Sequence, residues 1–287
     1  MNKSYGNKYT IETLDNGVVS FKHIQSGEIL HGSVGPEKEA RELYIEASGL
    51  SQCNKNAATV FDVGTGCAAQ LLALLDFMTE STAIKKLKVF SFDLEKEGIS
   101  AVLSAHKTFP AAQRHRLFLE KALKASEFQW DLENGGQLDW SFIEGDFRNT
   151  LPQMKNDEST KADYIFYDFF SPASHPWLWT YDLFSTLKTH SNSDTCFVTY
   201  SSATSVKAAL LAAGWFVGTT IASGKKAQSI FAASSMHNVK SPLSSKFIST
   251  LKASHKPFCD AETQASQKII VEKVSEHSQF RQPSRDE

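Results

Sequence analysis

Cysteine is scarce in this sequence of 287 residues, and the four cysteines stand far apart at positions 53, 67, 196 and 259. No CxxC pair or other close spacing occurs, which argues against a zinc-ligand motif and against a disulfide framework. Scattered cysteines of this kind suit a reducing compartment. We therefore expect no metal site and a cytoplasmic protein.

Long apolar runs and an excess of one charge are also missing. No stretch of about 18 apolar residues is present, so no membrane span is expected, and the opening MNKSYGNKYT lacks the apolar core of a secretory signal. The formal net charge is −2, too small for the global basic field of a nonspecific nucleic-acid binder. Local clusters remain candidate phosphate contacts, although a solvated face is the favoured explanation of each: Lys85, Lys86 and Lys88; Arg114 and Arg116; Lys225 and Lys226.

The chain divides by composition into three parts. Residues 1–35 hold short alternating runs split by Asn-Gly and Ser-Gly, hairpin signals that predict a small antiparallel β-meander. Residues 36–236 form the main domain, which opens on a helix with Pro36 in its first turn. Residues 237–287 are rich in Ser, Lys and Gln with few aromatic residues, which predicts a loosely attached tail with one helix over 262–277.

Within the main domain, β-type and helical runs alternate from residue 59, which predicts parallel strands joined by right-handed crossovers with helices on both faces. Two β-type runs at 215–224 and 227–234 follow without a helix between them, and predict an antiparallel hairpin that closes the sheet. An α/β, Rossmann-like sheet ending in such a hairpin is the fold of class I S-adenosylmethionine methyltransferases. The predicted strands are 59–64, 87–94, 140–146, 162–170 and 195–202, and the predicted helices 35–48, 67–78, 95–109, 114–128, 178–190 and 204–214.

A glycine-rich turn, FDVGTGCAAQ, joins the first predicted parallel strand to its helix. Gly64 and Gly66, with Thr65 between them, allow a tight turn and close backbone approach, so that the helix amides point at an anionic group. In S-adenosylmethionine that group is the methionine carboxylate, and Asp62 would take the ammonium directly or through water. Ala68 stands where a third glycine would be. A turn that holds no ligand is the alternative.

Acids also follow the next two strands. An acid at the end of the second strand can bind ribose hydroxyls, and the residues alone leave Asp93 and Glu95 open for this role. After the third strand, Asp146 can accept from an adenine amino group while Phe147 covers the ring. Solvated helix-start acids are the alternative for the first pair, and an N-cap for Asp146.

The fourth strand leads into YDFFSPASHPWLW, a stiff loop crowded with aromatic side chains. Its segments 168–172 (DFFSP) and 175–179 (HPWLW) resemble the signature of the methyltransferase domain of the MnmC family, which forms 5-methylaminomethyl-2-thiouridine in tRNA. The resemblance covers about residues 8–235. Other segments that resemble the family are HGSVGPEKEARELYIEASGL, DVGTGCAAQLL, LLAAGWFV and SGKK, and the departures from its pattern are Ala68, Gln70, Phe169, His175, Ala227 and Gln228. No segment corresponds to the flavin-dependent domain of bifunctional members.

The resemblance implies an S-adenosyl-L-methionine cofactor and a tRNA substrate whose wobble uridine carries a primary amine. Asp168 would be the catalytic residue, because it would hold the amine and accept or relay its proton. The family comparison selects Glu95 for the ribose, and Phe169 and Phe170 would flank a flipped-out base. The residues that would line the mouth of the site are His31, Glu39 and His175.

Other readings stay open at this point. A spermidine-synthase-type aminopropyltransferase would share the fold and the amine nucleophile, but it needs a second carboxylate and only Asp168 lies in the loop. A small-molecule amine methyltransferase and a non-catalytic scaffold are further alternatives. Trp177 and Trp179 are expected to pack in the core rather than to bind substrate. The oligomeric state is left open.

Overall fold

The computed structural model describes residues 4–5, 7–32, 34–220, 228–252 and 264–281. The strands are β1 (Ser4–Tyr5), β2 (Tyr9–Thr13), β3 (Val19–His23), β4 (Ala57–Val63), β5 (Lys86–Asp93), β6 (Glu127–Asp131), β7 (Gln137–Glu144), β8 (Ala162–Tyr167), β9 (Ser191–Thr199), β10 (Phe216–Thr219) and β11 (Ile230–Ala233). The helices are α1 (Pro36–Ala40), α2 (Ala69–Glu80), α3 (Glu97–Ser104), α4 (Pro110–Arg114), α5 (Arg116–Lys124), α6 (Phe147–Gln153), α7 (Tyr181–Thr189), α8 (Thr204–Ala212), α9 (Lys246–Lys252) and α10 (Gln264–Ser275).

The main sheet has eight strands in the order β10-β11-β9-β8-β4-β5-β7-β6. Five neighbouring strands from β9 to β7 run parallel, whereas β11 is antiparallel to both β9 and β10. The predicted fold class, a mostly parallel sheet ending in an antiparallel hairpin, is confirmed. The turn predicted at 224–226 lies outside the described residues. The chain order reverses beside β4, which has β5 on one side and β8 on the other, and ligands bind at such switch points.

Two apolar layers cover the sheet, one on each face. In β4, Val60 packs in the layer that includes α2, and Phe61 packs in the opposite layer with α7 and α8. Both side chains are fully buried, as expected for a central strand covered on both faces. The layers hold β4 rigidly, so its end is a firm base for the turn that follows.

The prediction of a helix over 114–128 is wrong for the residues after Lys124. Helix α5 ends at Lys124, and β6 follows from Glu127 as an antiparallel edge partner of β7. In β6 partly buried and exposed residues alternate, with Phe128 and Trp130 both facing Phe118. This period of two identifies a strand, but the apolar run of the preceding helix hides it in the sequence.

The N-terminal meander is antiparallel, as predicted, with β2 between β1 and β3. Its Asn-Gly turn places Gly17 at a φ of 80°, a conformation that glycine adopts without strain. After β3 the chain turns back, and Lys22 and Ile29 form an isolated antiparallel bridge. The ring of Phe21 stacks on Phe109 with centroids 4.8 Å apart, which fixes the meander to the main domain beside the ends of β4 and β5.

The expectation of a loosely attached C-terminal tail is wrong for the described part of residues 237–287. Leu251, Ile270 and Val274 are buried in the apolar layer that contains α8. The side-chain amide of Gln279 accepts a hydrogen bond from the backbone N–H of Val217 at 2.8 Å and donates to its carbonyl, also at 2.8 Å. A few well-placed apolar residues therefore secure a segment whose average composition is polar. The division at residues 35 and 236 stays a prediction.

Candidate active site

The turn between β4 and α2 has an unusual backbone. Gly64, Gly66 and Ala68 have positive φ angles of 82°, 49° and 62°. A β-carbon on Gly64 would lie 2.8 Å from the carbonyl oxygen of Asp168, so glycine is required there for close approach of the fourth-strand loop. Helix α2 begins at Ala69 without a side-chain cap, which leaves amide donors of its first turn for an anionic group.

Asp62 lies beneath this turn rather than in contact with a ligand site. Its carboxylate is fully buried, and Oδ2 accepts hydrogen bonds from the Thr65 hydroxyl at 3.0 Å and the Ser91 hydroxyl at 2.7 Å. Among the described residues, Oδ1 has no hydrogen-bond partner. Burial raises the pKa of Asp62 to about 6. In this structure the carboxylate supports the turn, and its contact with an ammonium group, directly or through water, stays a prediction.

Asp93 and Glu95 have clearly different surroundings. Asp93 lines the cavity beside the glycine turn, and its Oδ2 accepts a hydrogen bond from the Gly66 amide at 2.7 Å. Burial raises the pKa of Asp93 to about 6. Glu95 is absent from the cavity wall and forms an ion pair with Lys8 from the meander. The geometry favours Asp93 for the ribose, contrary to the preference for Glu95 drawn from the sequence.

Gly98 is a functional position that the sequence reasoning missed. It lies in the first turn of α3, and a β-carbon there would stand 2.0 Å from the carbonyl oxygen of Gly66. Helix α3 therefore presses directly on the glycine turn. The sequence feature that could have indicated Gly98 is a glycine in the first turn of a helix. Glycine there costs backbone entropy, and close packing accounts for its presence.

Asp146 and Phe147 have structural roles here. Asp146 caps α6 by accepting a hydrogen bond from the Arg148 amide at 3.0 Å, and it also pairs with the Arg148 guanidinium. The Phe147 ring is buried against Phe92 and Phe169. Neither residue lines the cavity. The N-cap alternative describes Asp146 in this structure, and adenine binding by the pair stays a prediction.

A cavity of about 250 Å³ lies over the carboxyl ends of β4, β5 and β8. The glycine turn forms its floor, and the meander and the loop after β8 form its walls. Four carboxylates line it, from Glu28, Glu39, Asp93 and Asp168, and among the described residues no lysine or arginine does so. A cavity with this charge favours a cationic ligand, because each carboxylate stabilises a nearby positive charge.

A larger cavity of about 490 Å³ lies on the far side of the start of α2, and shares His31 and Cys67 with the smaller one. Charged groups on its rim pair with each other, as Arg114 does with Asp76 at 2.6 Å. It includes neither Asp168 nor the glycines of the turn. We therefore place the reaction site in the smaller cavity.

Asp168 lies at the end of β8, as predicted, and is held from two sides. Its amide donates to the Val63 carbonyl at 2.8 Å, and its Oδ2 accepts a hydrogen bond from the side-chain amide of Gln70 on α2. The buried Tyr44 hydroxyl faces the same carboxylate, and burial, with the charges of Asp168 and Glu39, raises the pKa of Tyr44 well above its usual range. Tyr44 thus stays a neutral hydroxyl.

Glu39 brings a second carboxylate to the cavity from a distant part of the sequence. It lies in α1 and is buried, and its Oε2 accepts a hydrogen bond from the Gly32 amide at 2.8 Å. The helix continues past Ala40 as a π-helical turn over Arg41–Glu46, a feature often found at functional sites. His31, predicted to line the mouth, is buried in the cavity wall.

Glu28 of the meander holds the loop that follows Asp168. Its carboxylate accepts hydrogen bonds from the Ser171 amide and hydroxyl, each at 3.1 Å, and from the Ser174 hydroxyl. Burial raises the pKa of Glu28, but the hydrogen bonds from Ser174 and Ser171 outweigh this effect and lower it. The sequence reasoning missed Glu28, since nothing in the local pattern indicates a partner about 145 residues away.

The aromatic residues of the loop point in different directions. Phe169 lines the cavity and packs inward on Tyr167, whereas Phe170 stacks on His175 with centroids 4.9 Å apart. Both phenylalanines line the cavity, and the flanking of a flipped-out base by the pair stays a prediction. His175 lies outside the cavity wall. The core prediction is confirmed for Trp179, which is 3% exposed, and wrong for Trp177, which is 45% exposed.

The two basic clusters that the structure describes are not placed to follow a nucleic acid into this cavity. Lys86 and Lys88 lie near the start of β5, at the opposite end from Asp93. Arg114 is paired with Asp76, and Arg116 with Glu120. The remaining pair, Lys225 and Lys226, lies outside the described residues.

Neither a metal-binding group nor a membrane-spanning helix is found in the described ranges. No group of three or more His, Cys, Asp or Glu side chains there could hold a metal ion. Helices long and apolar enough to cross a membrane are likewise absent from those ranges. Cys53, Cys67 and Cys196 are free thiols, and Cys259 lies outside the described part of the chain.

This chain is similar to known proteins in sequence and in fold. The family model described as S-adenosyl-L-methionine-dependent methyltransferase matches residues 110–235. The chain is 26% identical over 204 residues to the tRNA 5-methylaminomethyl-2-thiouridine biosynthesis bifunctional protein MnmC of Vibrio cholerae, a match that covers 67% of this chain and 30% of that protein. The protein of the same name from Methylobacillus flagellatus is 25% identical over 215 residues, covering 70% and 31%. This chain thus spans about 30% of the length of these curated relatives.

The fold agrees with that of a solved structure. The crystal structure of MnmC2 from Aquifex aeolicus superposes with a TM-score of 0.68 at 22% identity, over 93% of this chain and 83% of that chain. The predicted resemblance and fold class are both confirmed. The chain is similar, over about two-thirds of its length, to about 30% of the length of the MnmC proteins, and its residues 110–235 match the model of an S-adenosyl-L-methionine-dependent methyltransferase family.

Proposed function

We propose that this protein methylates a primary amine, and that the amine is the aminomethyl group of a modified wobble uridine in tRNA. The observation that carries the proposal is the cavity lined by four carboxylates, with no lysine or arginine among its described lining residues. The cofactor carries a sulfonium and an ammonium group, and an alkylammonium acceptor is also cationic. Both ligands therefore suit a cavity lined by carboxylates. The curated relatives are named for this tRNA modification, and a cytoplasmic location belongs to the same proposal.

The residues present fit S-adenosyl-L-methionine. The uncapped start of α2 can bind its carboxylate, and Gly64 and Gly66 leave room for close approach. Asp93 can accept hydrogen bonds from the ribose hydroxyls, and the neighbouring Leu94, 65% exposed, offers apolar contact to the adenine. When bound, the cofactor supplies a methyl group activated by its sulfonium.

Asp168 and Glu39 would bind the acceptor amine between them. An ammonium group has no lone pair, so one carboxylate must take a proton at an oxygen before the nitrogen can form a bond to carbon. The hydrogen bond from the Gln70 side-chain amide fixes the Asp168 carboxylate in the cavity wall. The second carboxylate, on Glu39, balances the charge of the amine and receives the proton or passes it outward. Positioning by these groups lowers the barrier by ordering the reactants in advance.

The test measures methyl transfer to tRNA that carries 5-aminomethyluridine at the wobble position, with product nucleosides identified by mass spectrometry. Asp168→Asn should lower kcat/KM about 100-fold or more, and Glu39→Gln about 10-fold or more, in the range of lost acid–base catalysis. Glu133→Gln, an exposed acid in the turn before β7, is the matched control. Activity of both site variants within twofold of wild type would contradict the proposal.

A second function receives support from Glu39. Sequence reasoning disfavoured an aminopropyltransferase because its loop holds a single carboxylate, yet the structure brings Glu39 to the same cavity as Asp168. Aminopropyl donors are decarboxylated, so they would leave the amides at the start of α2 without an anionic partner. Turnover of putrescine with decarboxylated S-adenosylmethionine, and none of tRNA with the intact cofactor, would establish this second function instead.

A further inference from the structure

A row of aromatic rings leads from the cavity to the surface. Phe170, which lines the cavity, contacts His23 of the meander at 4.8 Å between ring centroids and stacks on His175 at 4.9 Å. His175 in turn contacts Trp177 at 5.0 Å. Trp177 is 45% exposed. We call Phe170, His175 and Trp177 the aromatic row.

The aromatic row is held rigidly from behind. The Trp179 indole donates a hydrogen bond to the Phe170 carbonyl at 3.0 Å, and the Tyr167 hydroxyl donates to the Leu178 carbonyl. Glu28 binds the same loop from the meander, as described above. A tryptophan on such a loop loses little conformational freedom on contact with a ligand, so its exposed face is prepared for binding.

No packing role in the fold accounts for the exposure of Trp177. Its neighbour Trp179 takes the core position, and an exposed tryptophan beside a catalytic cavity is a typical ligand contact. Of the basic clusters that the structure describes, one lies at the far end of β5 and the other is paired with acids. Among the described residues, the aromatic row is therefore the surface at this cavity that is best suited to contact an RNA strand, and it would do so by ring stacking.

We propose that Trp177 stacks on a base of the RNA next to the nucleotide whose amine enters the cavity. This inference rests on the proposed function. Two ring-to-ring steps of 4.9 Å and 5.0 Å separate Phe170 from Trp177, and bases repeat about every 3.4 Å along a stacked strand. The contacted base is thus within about three positions of the modified one, and stacking makes the contact tolerant of its identity.

The experiment compares two acceptors with wild type, Trp177→Ala and Trp177→Phe. One acceptor is an anticodon stem-loop with 5-aminomethyluridine, and the other is the free nucleoside, which has no neighbouring base. Trp177→Ala should raise KM for the stem-loop about 5- to 100-fold, the loss of one base–aromatic stack. Its kcat should stay within twofold, its nucleoside kinetics should not change, and Trp177→Phe should recover most of the affinity. Leu117→Ala removes a residue that is 68% exposed on α5 and serves as the control.

Binding of the unmodified stem-loop, followed by tryptophan fluorescence, separates this inference from the proposed function. RNA binding that depends on Trp177, without any methylation, would contradict the function and support the stacking contact. Methylation with a stem-loop KM that is unchanged in Trp177→Ala would overturn the contact alone. An equal loss on stem-loop and nucleoside would also overturn it, because it would show a general disturbance of the loop.

Discussion

Gly98 lies where helix α3 presses on the glycine turn, and a methyl group there has no room. The Gly98→Ala change would place a β-carbon 2.0 Å from the carbonyl oxygen of Gly66 and 2.4 Å from its carbonyl carbon. Both obstacles are backbone atoms, so no side chain can rotate away. The turn must move by about 1 Å, because a packed interior does not compress.

The cost follows from what that movement breaks. Forcing an extra methyl into packed structure costs about 1–3 kcal/mol, and the hydrogen bond from the Gly66 amide to Asp93 adds about 1.5–3 kcal/mol because its acceptor is charged. Alanine is favoured over glycine within a helix by up to about 1 kcal/mol, which offsets part of the loss. We expect Gly98→Ala to lower the free energy of unfolding by about 3 kcal/mol.

Urea denaturation and calorimetric titration with S-adenosylmethionine are the assays for Gly98→Ala. Cofactor affinity should fall at least tenfold, because Gly66 and Asp93 both line the cavity. Gly135→Ala is the control: its β-carbon meets nothing within 4 Å, and it should lose only about 1 kcal/mol from its positive φ of 79°. A Gly98→Ala protein with wild-type stability and affinity would refute the close contact.

Three further predictions concern stability. Ala68→Gly should raise the free energy of unfolding, measured by urea denaturation, by about 1 kcal/mol, because glycine relieves the strain of the positive φ. The control, Ala73→Gly inside α2, should lower it by about 1 kcal/mol. An equal loss of stability in both variants would contradict the prediction. The folded state binds the Asp62 proton more tightly than the unfolded state, so ionisation of this carboxylate lowers the free energy of unfolding as pH rises from about 4 to 6. The free energy of unfolding of Asp62→Asn, relative to that of wild type, should therefore increase by up to about 3 kcal/mol across that window. A difference between the two proteins that does not change with pH would contradict this prediction. Ile270→Ala, at a buried position of α10, should lower the free energy of unfolding by about 2–4 kcal/mol. Ile269 is 49% exposed, so Ile269→Ala should lower it by less than about 0.5 kcal/mol. Equal melting temperatures of the two variants would show that α10 adds nothing to the stability of the fold.

Local patterns were sufficient to predict much of the architecture. The alternation of apolar strands and amphipathic helices, and the missing helix before the last strand, are short-range features of the chain. The position of Asp168 could be predicted for the same reason, since it directly follows a strand. The edge strand with Phe128 and Trp130 was not predicted, because the helix before it has its own apolar pattern and the helical and strand periodicities run into each other in the sequence.

Contacts between distant segments could not be predicted from such patterns. Glu28 reaches the site from the meander, and a sequence shows neither the direction of a side chain nor its partners across more than 100 residues. Glu39, on α1, was placed at the site only by the family resemblance, and its proximity to Asp168 comes from the structure. The choice between Asp93 and Glu95 depends on which way the chain turns after β5. Only the pairing of Glu95 with Lys8 and of Asp93 with the Gly66 amide distinguishes them.

Calorimetric titration tests most directly the claim that the cavity beside the glycine turn binds the cofactor. S-adenosylmethionine, S-adenosylhomocysteine and decarboxylated S-adenosylmethionine would be titrated into wild type, Asp93→Ala and Glu95→Ala. We expect binding of the first two over the decarboxylated compound, at least tenfold weaker in Asp93→Ala and within threefold of wild type in Glu95→Ala. No binding of any of the three compounds to the wild-type protein would contradict the account.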